Sequence, residues 1–152
     1  KIIFSTKNTL KKFRSLAFCR DSPYPPWHYS FKEWDGLKQP QQLHLELTKA
    51  HIALIPSDPN DPAKAGASHN RVVDSARGGC IPLASPLFSY CELESIAVIG
   101  DDFPKMLHDS IQNFSSLSKA FNKKRNQCLE KFDPINNLKK WEIALCSAIN
   151  LH

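Results

Sequence analysis

The sequence predicts an α/β domain with a mostly parallel sheet and flanking helices. Short apolar runs alternate along the chain with segments of helical periodicity. The apolar runs are continuous, which is typical of parallel strands that are covered on both faces. Strands joined through helices form right-handed βαβ units, so we expect one open sheet of this kind.

The composition is that of one globular domain. The chain has 152 residues, of which 41% are hydrophobic and 23% are charged, as is usual for a single core. No apolar run approaches the ~20 residues that cross a bilayer, and we expect no secretory signal. Five scattered cysteines lack the close C-x-x-C spacing of a zinc or redox site. Cys80 and Cys146 are expected to be buried thiols, which favours a reducing, cytoplasmic location.

The first third of the chain is predicted to contain two strands and two helices. Residues 1–6 form an apolar run that indicates a buried strand. A helix is expected from about Leu10 to Phe18, and Trp27 to Trp34 has the alternation of a strand. Gln41 to Lys49 is predicted to be a helix whose inward residues are Leu43, Leu47 and Ala50.

The middle of the chain is predicted to hold the centre of the sheet. His51 to Pro56 is the clearest strand, and Ser57 to Ala67 is a turn-rich loop. A helix is expected from Ser68 to Arg77, where a pair of glycines ends it. Strands are predicted at Cys80 to Ala84 and at Ile96 to Ile99.

Three helices are predicted to complete the chain. They are expected from about Phe103 to Phe114, Leu117 to Phe132 and Ile135 to Asn150. Trp141 in the last helix is expected to anchor that helix to the body of the domain or to a partner domain.

The segment between Pro56 and Arg77 carries the predicted chemistry. Ligands of parallel sheets bind outside the carboxyl ends of the strands. Ser68 is expected to cap the following helix, whose first N–H groups and dipole favour an anion. Arg71 adds a forked donor that matches phosphate oxygens, and Lys64 lies within reach in the loop.

Three more side chains belong to this predicted site. Asn70 and Asp74 share one helix face because they are four residues apart, and a carboxylate at Asp74 can accept hydrogen bonds from ribose hydroxyls. His69 lies beside the phosphate position and could donate a hydrogen bond there or act on the acceptor, although a first-turn histidine is more often simply exposed. In the plain alternative, Arg71 and Asp74 form only a surface ion pair.

The stretch from His51 to Tyr90 resembles the donor-binding core of the GT-B-fold glycosyltransferases. It has a strand ending in proline, an acidic loop, a helix start similar to Lys-Ser-Asn-Asn-Arg, an acid, a small-residue turn and an apolar strand. The likeness continues through Glu92 to Phe103. The residues that match are Pro56, Asp58, Asp61, Ser68, Asn70, Arg71, Asp74, Gly79, Pro82, Ala84, Ser85 and Pro86. Ala67 departs from the pattern, because the family often has lysine there.

The resemblance implies the C-terminal half of a GT-B fold without its first βα unit. Residues 1–152 would form a single partial domain that binds the donor nucleotide and lacks the acceptor domain. It would belong to a hexosyltransferase-like enzyme, hold a nucleoside-diphosphate sugar and be inactive alone. The resemblance implies no metal and no cofactor besides that donor. The implied substrate-binding residues are Ser68, His69, Asn70, Arg71, Asp74, Lys64 and Asp58, and the catalytic residues are unknown.

The resemblance also implies the partners of the chain. They would be a sugar nucleotide, an N-terminal acceptor domain and, through the full enzyme, a membrane surface, with no nucleic acid. The net charge of +5 leaves open a basic nucleic-acid-binding or adaptor module instead. In that alternative, aromatic residues between Trp27 and Trp34 stack on bases. A degenerate glycosyltransferase domain without activity is the third interpretation.

Overall fold

The structure is a computed structural model that describes residues 2–4, 41–64 and 66–149. The helix predicted from Leu10 to Phe18 and the strand predicted from Trp27 to Trp34 lie outside these residues. For residues 2–4 the description covers the backbone.

The centre of the fold is a parallel sheet, as the apolar runs predict. Its strands are β1 (Ile2–Phe4), β2 (Ile52–Ile55), β3 (Ile81–Ala84) and β4 (Val98–Ile99), and they lie side by side in chain order. Every neighbouring pair is parallel. The α/β class with a Rossmann-like arrangement of sheet and helices is therefore confirmed.

Six α-helices accompany the strands in the described part of the chain. They are α1 (Gln42–Leu47), α2 (Asn70–Arg77), α3 (Phe88–Cys91), α4 (Phe103–Gln112), α5 (Phe114–Glu130) and α6 (Pro134–Ile149). The short helix α3 is not among the predicted elements. Asn113 alone separates α4 from α5, so the predicted break at residues 115–116 is wrong. The other helix ends differ from the predictions by at most three residues, and the end at Arg77 and the start at Phe103 are as predicted.

The core lies on both faces of the two central strands. All residues of β2 and β3 are buried, which explains why their sequences are continuously apolar. Helix α2 packs on both strands, and α4 packs on β3. The inner face of α2 consists of Val72, Val73 and Ala76, each at most 3% exposed. Burying one such side chain contributes about 1.5–3 kcal/mol.

The two glycines after Arg77 end helix α2. The N–H of Gly79 donates to the carbonyl of Ala76, and the N–H of Cys80 donates to the carbonyl of Ser75. This pair of bonds is the Schellman motif, which needs a left-handed residue directly after the cap. Gly79 meets that need with a φ of 88°. The predicted helix stop is confirmed.

Helix α1 packs on α2 through fewer side chains than predicted. Leu47 and Ala50 are buried, but Leu43 is 39% exposed, so its predicted inward position is wrong. Cys80 lies beneath this junction, where its thiol donates to the carbonyl of Leu47 at 3.1 Å. The expectation of a buried thiol is confirmed at Cys80.

The last helix has no buried residue, and all but one of its residues are exposed. Trp141 is 66% exposed, and Cys146 is exposed as well. The predictions that Trp141 anchors α6 to the body and that Cys146 is buried are therefore wrong, and none of the residues of α6 is buried. None of the helices in the described ranges has the length and hydrophobicity needed to cross a membrane.

Candidate functional site

The candidate site begins where β2 and β3 end at the same edge of the sheet. The first residue after β2 and its proline is Ser57, whose N–H donates to the hydroxyl of Ser85 at 2.7 Å. Ser85 directly follows β3 and is only 3% exposed. Its own N–H donates to the carbonyl of Ile55. This exchange joins the two loops and fixes the edge that parallel sheets present to ligands.

The guanidinium of Arg71 lies against this edge. One nitrogen, Nη2, donates to the hydroxyl of Ser57 at 2.8 Å and to the phenol oxygen of Tyr90 at 3.0 Å. Tyr90 is fully buried, so it orients the guanidinium from the side of the core.

The positive charge of Arg71 has no carboxylate partner within the described segments. Both acceptors of Nη2 are neutral hydroxyls. An arginine has five N–H donors, and these two bonds leave Nε and Nη1 for another group. A half-buried guanidinium with uncompensated charge is a binding position for an anion.

Helix α2 points its first turn at the same region, but it is not capped as predicted. The helix begins at Asn70, and the residue at its N-cap is His69, which makes no side-chain cap bond. Ser68 lies one residue further out and is exposed, so the prediction that Ser68 caps the helix is wrong. The carbonyl of His69 accepts the N–H groups of Val72 and Val73. The N–H groups of Asn70 and Arg71 come too early for an intrahelical acceptor.

Two side chains from distant parts of the chain, Glu92 and Phe132, contact the ring of His69. Its Nδ1 lies 3.0 Å from a carboxylate oxygen of Glu92. The other oxygen of Glu92 accepts a hydrogen bond from Lys131 at 3.2 Å. The ring of Phe132 lies 4.5 Å from the imidazole, centroid to centroid. The expectation that His69 is merely exposed is wrong, since its side chain is 30% exposed and partnered.

Asp74 lies apart from this group. Its carboxylate is 3.7 Å from Arg77, and its side chain is 51% exposed. The ion pair between Asp74 and Arg71 in the plain alternative is therefore wrong, because Asp74 pairs with the arginine of the next turn. An exposed pair of this kind contributes about 0–1 kcal/mol, so a ligand could displace it at small cost.

The two aspartates in the loop between β2 and α2 each stabilise a turn. Asp58 accepts the N–H of Asn60 at 2.9 Å, and Asp61 accepts the N–H of Ala63 at 2.9 Å. The second turn opens a short 3-10 helix at Pro62–Lys64. Both bonds are side-chain turns of the kind that aspartate favours. Asp58 is exposed and has no described contact with Arg71 or with α2.

Lys64 lies one short turn before Ala67. The N–H of Ala67 donates to the carbonyl of Lys64 at 3.0 Å. The carbonyl of Ala67 in turn accepts the hydroxyl of Ser89 at 2.6 Å, which fixes the loop against α3. Lys64 is exposed, and its ammonium has no partner in the described ranges. Its predicted position within reach of the phosphates stays a prediction.

A separate groove of about 450 Å³ lies beside the end of β4. Gly100, Asp101, Asp102, Lys105 and Ser110 are among the residues that line it. A hydrogen bond of 3.0 Å to Asp109 raises the pKa of the Lys105 ammonium. None of the seven predicted site residues lines this groove.

The structure thus brings together part of the predicted set. Arg71 and His69 both lie at the start of α2, but the guanidinium contacts Ser57 and Tyr90, whereas the imidazole contacts Glu92 and Phe132. Asp58 and Asp74 make their described contacts elsewhere. Sequence analysis missed the roles of Ser57, Tyr90, Lys131 and Phe132, and it did not assign a role to Glu92. Ser57 and Ser85 could have been found, since each follows a predicted parallel strand. Within the described ranges no group of three His, Cys, Asp or Glu side chains could hold a metal ion.

Comparison of the chain with protein-family models, with curated proteins and with solved structures finds no match. The functional conclusion therefore rests on the geometry of the site and on the sequence pattern.

Proposed function

We propose that the chain is the donor-binding part of a GT-B-fold glycosyltransferase and holds a nucleoside-diphosphate sugar. One observation carries the proposal. A half-buried guanidinium, Arg71, lies at the carboxyl edge of a parallel sheet and has no described carboxylate partner. It belongs to the first turn of α2, where N–H groups without a partner among the described residues and the helix dipole favour negative charge.

The proposed role of this region is to hold the diphosphate. In glycosyl transfer the bond between the sugar and the diphosphate oxygen breaks, and its electron pair stays on that oxygen. A new bond forms to the oxygen of an acceptor hydroxyl, whose proton passes to water or to a base of the acceptor domain. Charge therefore accumulates on the diphosphate. The N–H groups of Asn70 and Arg71 and the guanidinium would stabilise it, and each charged hydrogen bond contributes about 1.5–3 kcal/mol.

The remaining predicted residues have supporting roles in this proposal. Asp74 would leave its weak pair with Arg77 to accept a ribose hydroxyl. Lys64 would replace the lysine that the family often has at the position of Ala67, and Ser68 would contribute its exposed hydroxyl. Asp58 serves the shape of the loop, because its carboxylate is engaged with Asn60.

The proposal extends to the surroundings of the chain. An acceptor domain would complete the cleft, and the chain alone would bind the donor without turning it over. Of the thiols, Cys91 and Cys146 are exposed and unpaired within the described residues. Exposed reduced thiols suit a reducing compartment, so we propose a cytoplasmic location.

The proposal is tested by titration calorimetry with a panel of nucleoside diphosphates, inorganic pyrophosphate and a short oligonucleotide. Arg71→Ala is expected to weaken binding of both phosphate ligands about 10- to 150-fold, which corresponds to 1.5–3 kcal/mol. Asp74→Ala is expected to weaken only the nucleoside diphosphates, since pyrophosphate has no ribose. Lys124→Ala removes an exposed positive charge of α5 and is expected to change neither affinity by more than about twofold.

Three results would contradict the proposal, each in a different way. Oligonucleotide binding that falls steeply with salt, without diphosphate binding, would indicate a basic nucleic-acid-binding module. No binding of any ligand would indicate a degenerate domain. Equal losses in Arg71→Ala and Lys124→Ala would mean that net charge, and not this site, attracts the phosphates.

A further inference from the structure

The groove beside β4 follows one face of α4. Its volume is about 450 Å³, which is within the range of small-molecule sites. Asp102, Met106 and Ser110 line the groove at steps of four residues, so they lie in one row along the helix. At a rise of about 1.5 Å per residue, this row is about 12 Å long. The groove therefore has two distinct ends and a middle.

The end at the start of α4 carries negative charge without an ion-pair partner. One oxygen of Asp102 accepts the backbone N–H of Lys105 at 3.0 Å, and the ammonium of Lys105 donates to Asp109, also at 3.0 Å. In the part of the chain that the structure describes, neither Asp101 nor Asp102 forms an ion pair. Two carboxylates thus remain for a cation, although the whole chain has a net charge of +5.

The other end carries a buried hydroxyl. Ser110 is only 4% exposed, and its hydroxyl makes no hydrogen bond to any described residue. A serine inside a helix often donates to the carbonyl four residues earlier, as Ser75 does to Arg71 at 2.7 Å. Because Ser110 is otherwise enclosed, the part of it that remains open lines the groove. Asn113 lines the same end, and its amide nitrogen donates to the carbonyl of Asp109, which leaves its amide oxygen as an acceptor.

The middle of the groove is apolar. Met106 lies between Asp102 and Ser110 in the row, and Val98 of β4 and Leu117 of α5 also line the groove. A methionine thioether adapts to irregular apolar ligands. Acceptors at both ends and an apolar middle match a molecule with a donor at each end and hydrocarbon between them. The two carboxylates favour cationic donors over neutral ones.

We infer that this groove binds a linear aliphatic amine with a cationic nitrogen at each end. One ammonium lies at the carboxylates of Asp101 and Asp102, the methylene chain lies on Met106, and the second ammonium donates to the hydroxyl of Ser110. The inference does not rest on the proposed function, because none of the residues assigned to the donor site lines the groove. The net positive charge of the chain repels such a ligand, so binding requires the local site.

The experiment compares three ligands that share one hydrocarbon chain: diaminooctane, octylamine and octanediol. Titration calorimetry at about 0.15 M salt limits unspecific attraction between charges, and ¹H–¹⁵N nuclear magnetic resonance locates the site. We expect diaminooctane to shift the backbone signals of Asp101, Ser110 and Asn113. Octylamine lacks the second ammonium and is expected to bind about 2- to 10-fold more weakly. Octanediol carries no charge and is expected to bind roughly 4- to 25-fold more weakly.

Two variants test the two ends separately. Ser110→Ala is expected to weaken diaminooctane about 2- to 10-fold and to leave octylamine unchanged. Its melting temperature without ligand should not fall, because the hydroxyl that it removes has no described partner. Asp101→Asn combined with Asp102→Asn keeps a capping side chain and is expected to weaken both amines roughly 4- to 25-fold. The matched control, Glu94→Gln combined with Glu142→Gln, removes the same charge from exposed positions outside the groove and should change neither affinity by more than about twofold.

Five results would overturn the inference. The first is that diaminooctane does not bind, and the second is that the shifted signals lie away from the groove. Equal losses in the two double variants would mean that the ligand responds to overall charge. Octylamine that binds as tightly as diaminooctane would remove the second contact. A Ser110→Ala variant that loses stability but keeps its affinity would assign the hydroxyl to packing.

Discussion

Gly78, at the end of α2, provides the sharpest test of how α1 packs on α2. A Cβ at Gly78 would lie 2.5 Å from the Cβ of Leu47 and 3.3 Å from its carbonyl carbon. These atoms belong to the backbone and its first carbon, so they cannot turn aside like the tip of a long side chain. Gly78→Ala therefore has to push α1 away from α2, although the φ of Gly78, −69°, suits alanine.

The expected change in the free energy of unfolding for Gly78→Ala is the sum of two opposing effects. Overpacking a close contact costs about 1–3 kcal/mol, and replacing glycine at an unstrained φ returns about 0.4–1 kcal/mol through the unfolded chain. We expect a net loss of about 1–2 kcal/mol, which lowers the melting temperature by roughly 2–8 °C for a chain of this size. Thermal and urea denaturation followed by circular dichroism measure both quantities.

Gly79 is the matched control, because its constraint is conformational. Its Cβ would meet only the tip of Arg125 at 3.4 Å, but its φ is 88°. Gly79→Ala is expected to cost about 1–2 kcal/mol, the penalty of left-handed backbone. Asparagine tolerates that conformation, so Gly79→Asn should recover most of the loss, whereas Gly78→Asn should not. A Gly78→Ala variant as stable as the parent would refute the packing of α1 on α2.

Two further predictions concern the stability of the core and of a helix start. Leu83→Ala removes a fully buried side chain from β3 and is expected to lower the free energy of unfolding by about 2–5 kcal/mol in urea denaturation; a loss below about 1 kcal/mol would mean that the sheet is not the centre of the core. Asp102 caps α4 by accepting the N–H of Lys105 at 3.0 Å. Asp102→Ala should therefore cost about 1 kcal/mol in the same assay, whereas Asp101→Ala, an exposed neighbour without a described cap bond, should be close to neutral.

The strands and the end of α2 could be predicted because their causes are local. The apolar run from His51 to Pro56 contains β2, and it is continuous because the strand is covered on both faces. The glycine pair after Arg77 ends α2 because Gly79 adopts a left-handed conformation that other residues avoid. These signals lie within a few residues of the feature that they specify.

The start of α2 shows where local signals fail. Ser68 has the side chain that favours an N-cap, yet His69 occupies that position. Residues that are distant in the sequence fix both neighbours of Ser68. The hydroxyl of Ser89 donates to the carbonyl of Ala67, and the carboxylate of Glu92 contacts the ring of His69. Tertiary bonds thus decide the boundary, and the propensity of serine is overridden.

The partners of the site residues could be predicted only in part. The rule that parallel strands end at one edge brings Ser57 and Ser85 together. No pattern in the sequence indicates that Arg71 meets Tyr90 or that Asp74 prefers Arg77. Local periodicity indicates that α6 has apolar residues, but it does not indicate what they contact. The prediction that Trp141 packs on the body was therefore wrong, and its contact with a partner domain stays a prediction.

Because Cys80 is buried, the rate at which its thiol reacts reports how often this part of the fold opens. Its sulfur has no solvent exposure and bonds to the carbonyls of Leu47 and Ala50, so an alkylating reagent can reach it only when β3 separates from the end of α1. Cys91 and Cys146 are exposed and should react at once. The slow modification of Cys80 would then measure how often the middle of the sheet is uncovered under native conditions, without denaturant.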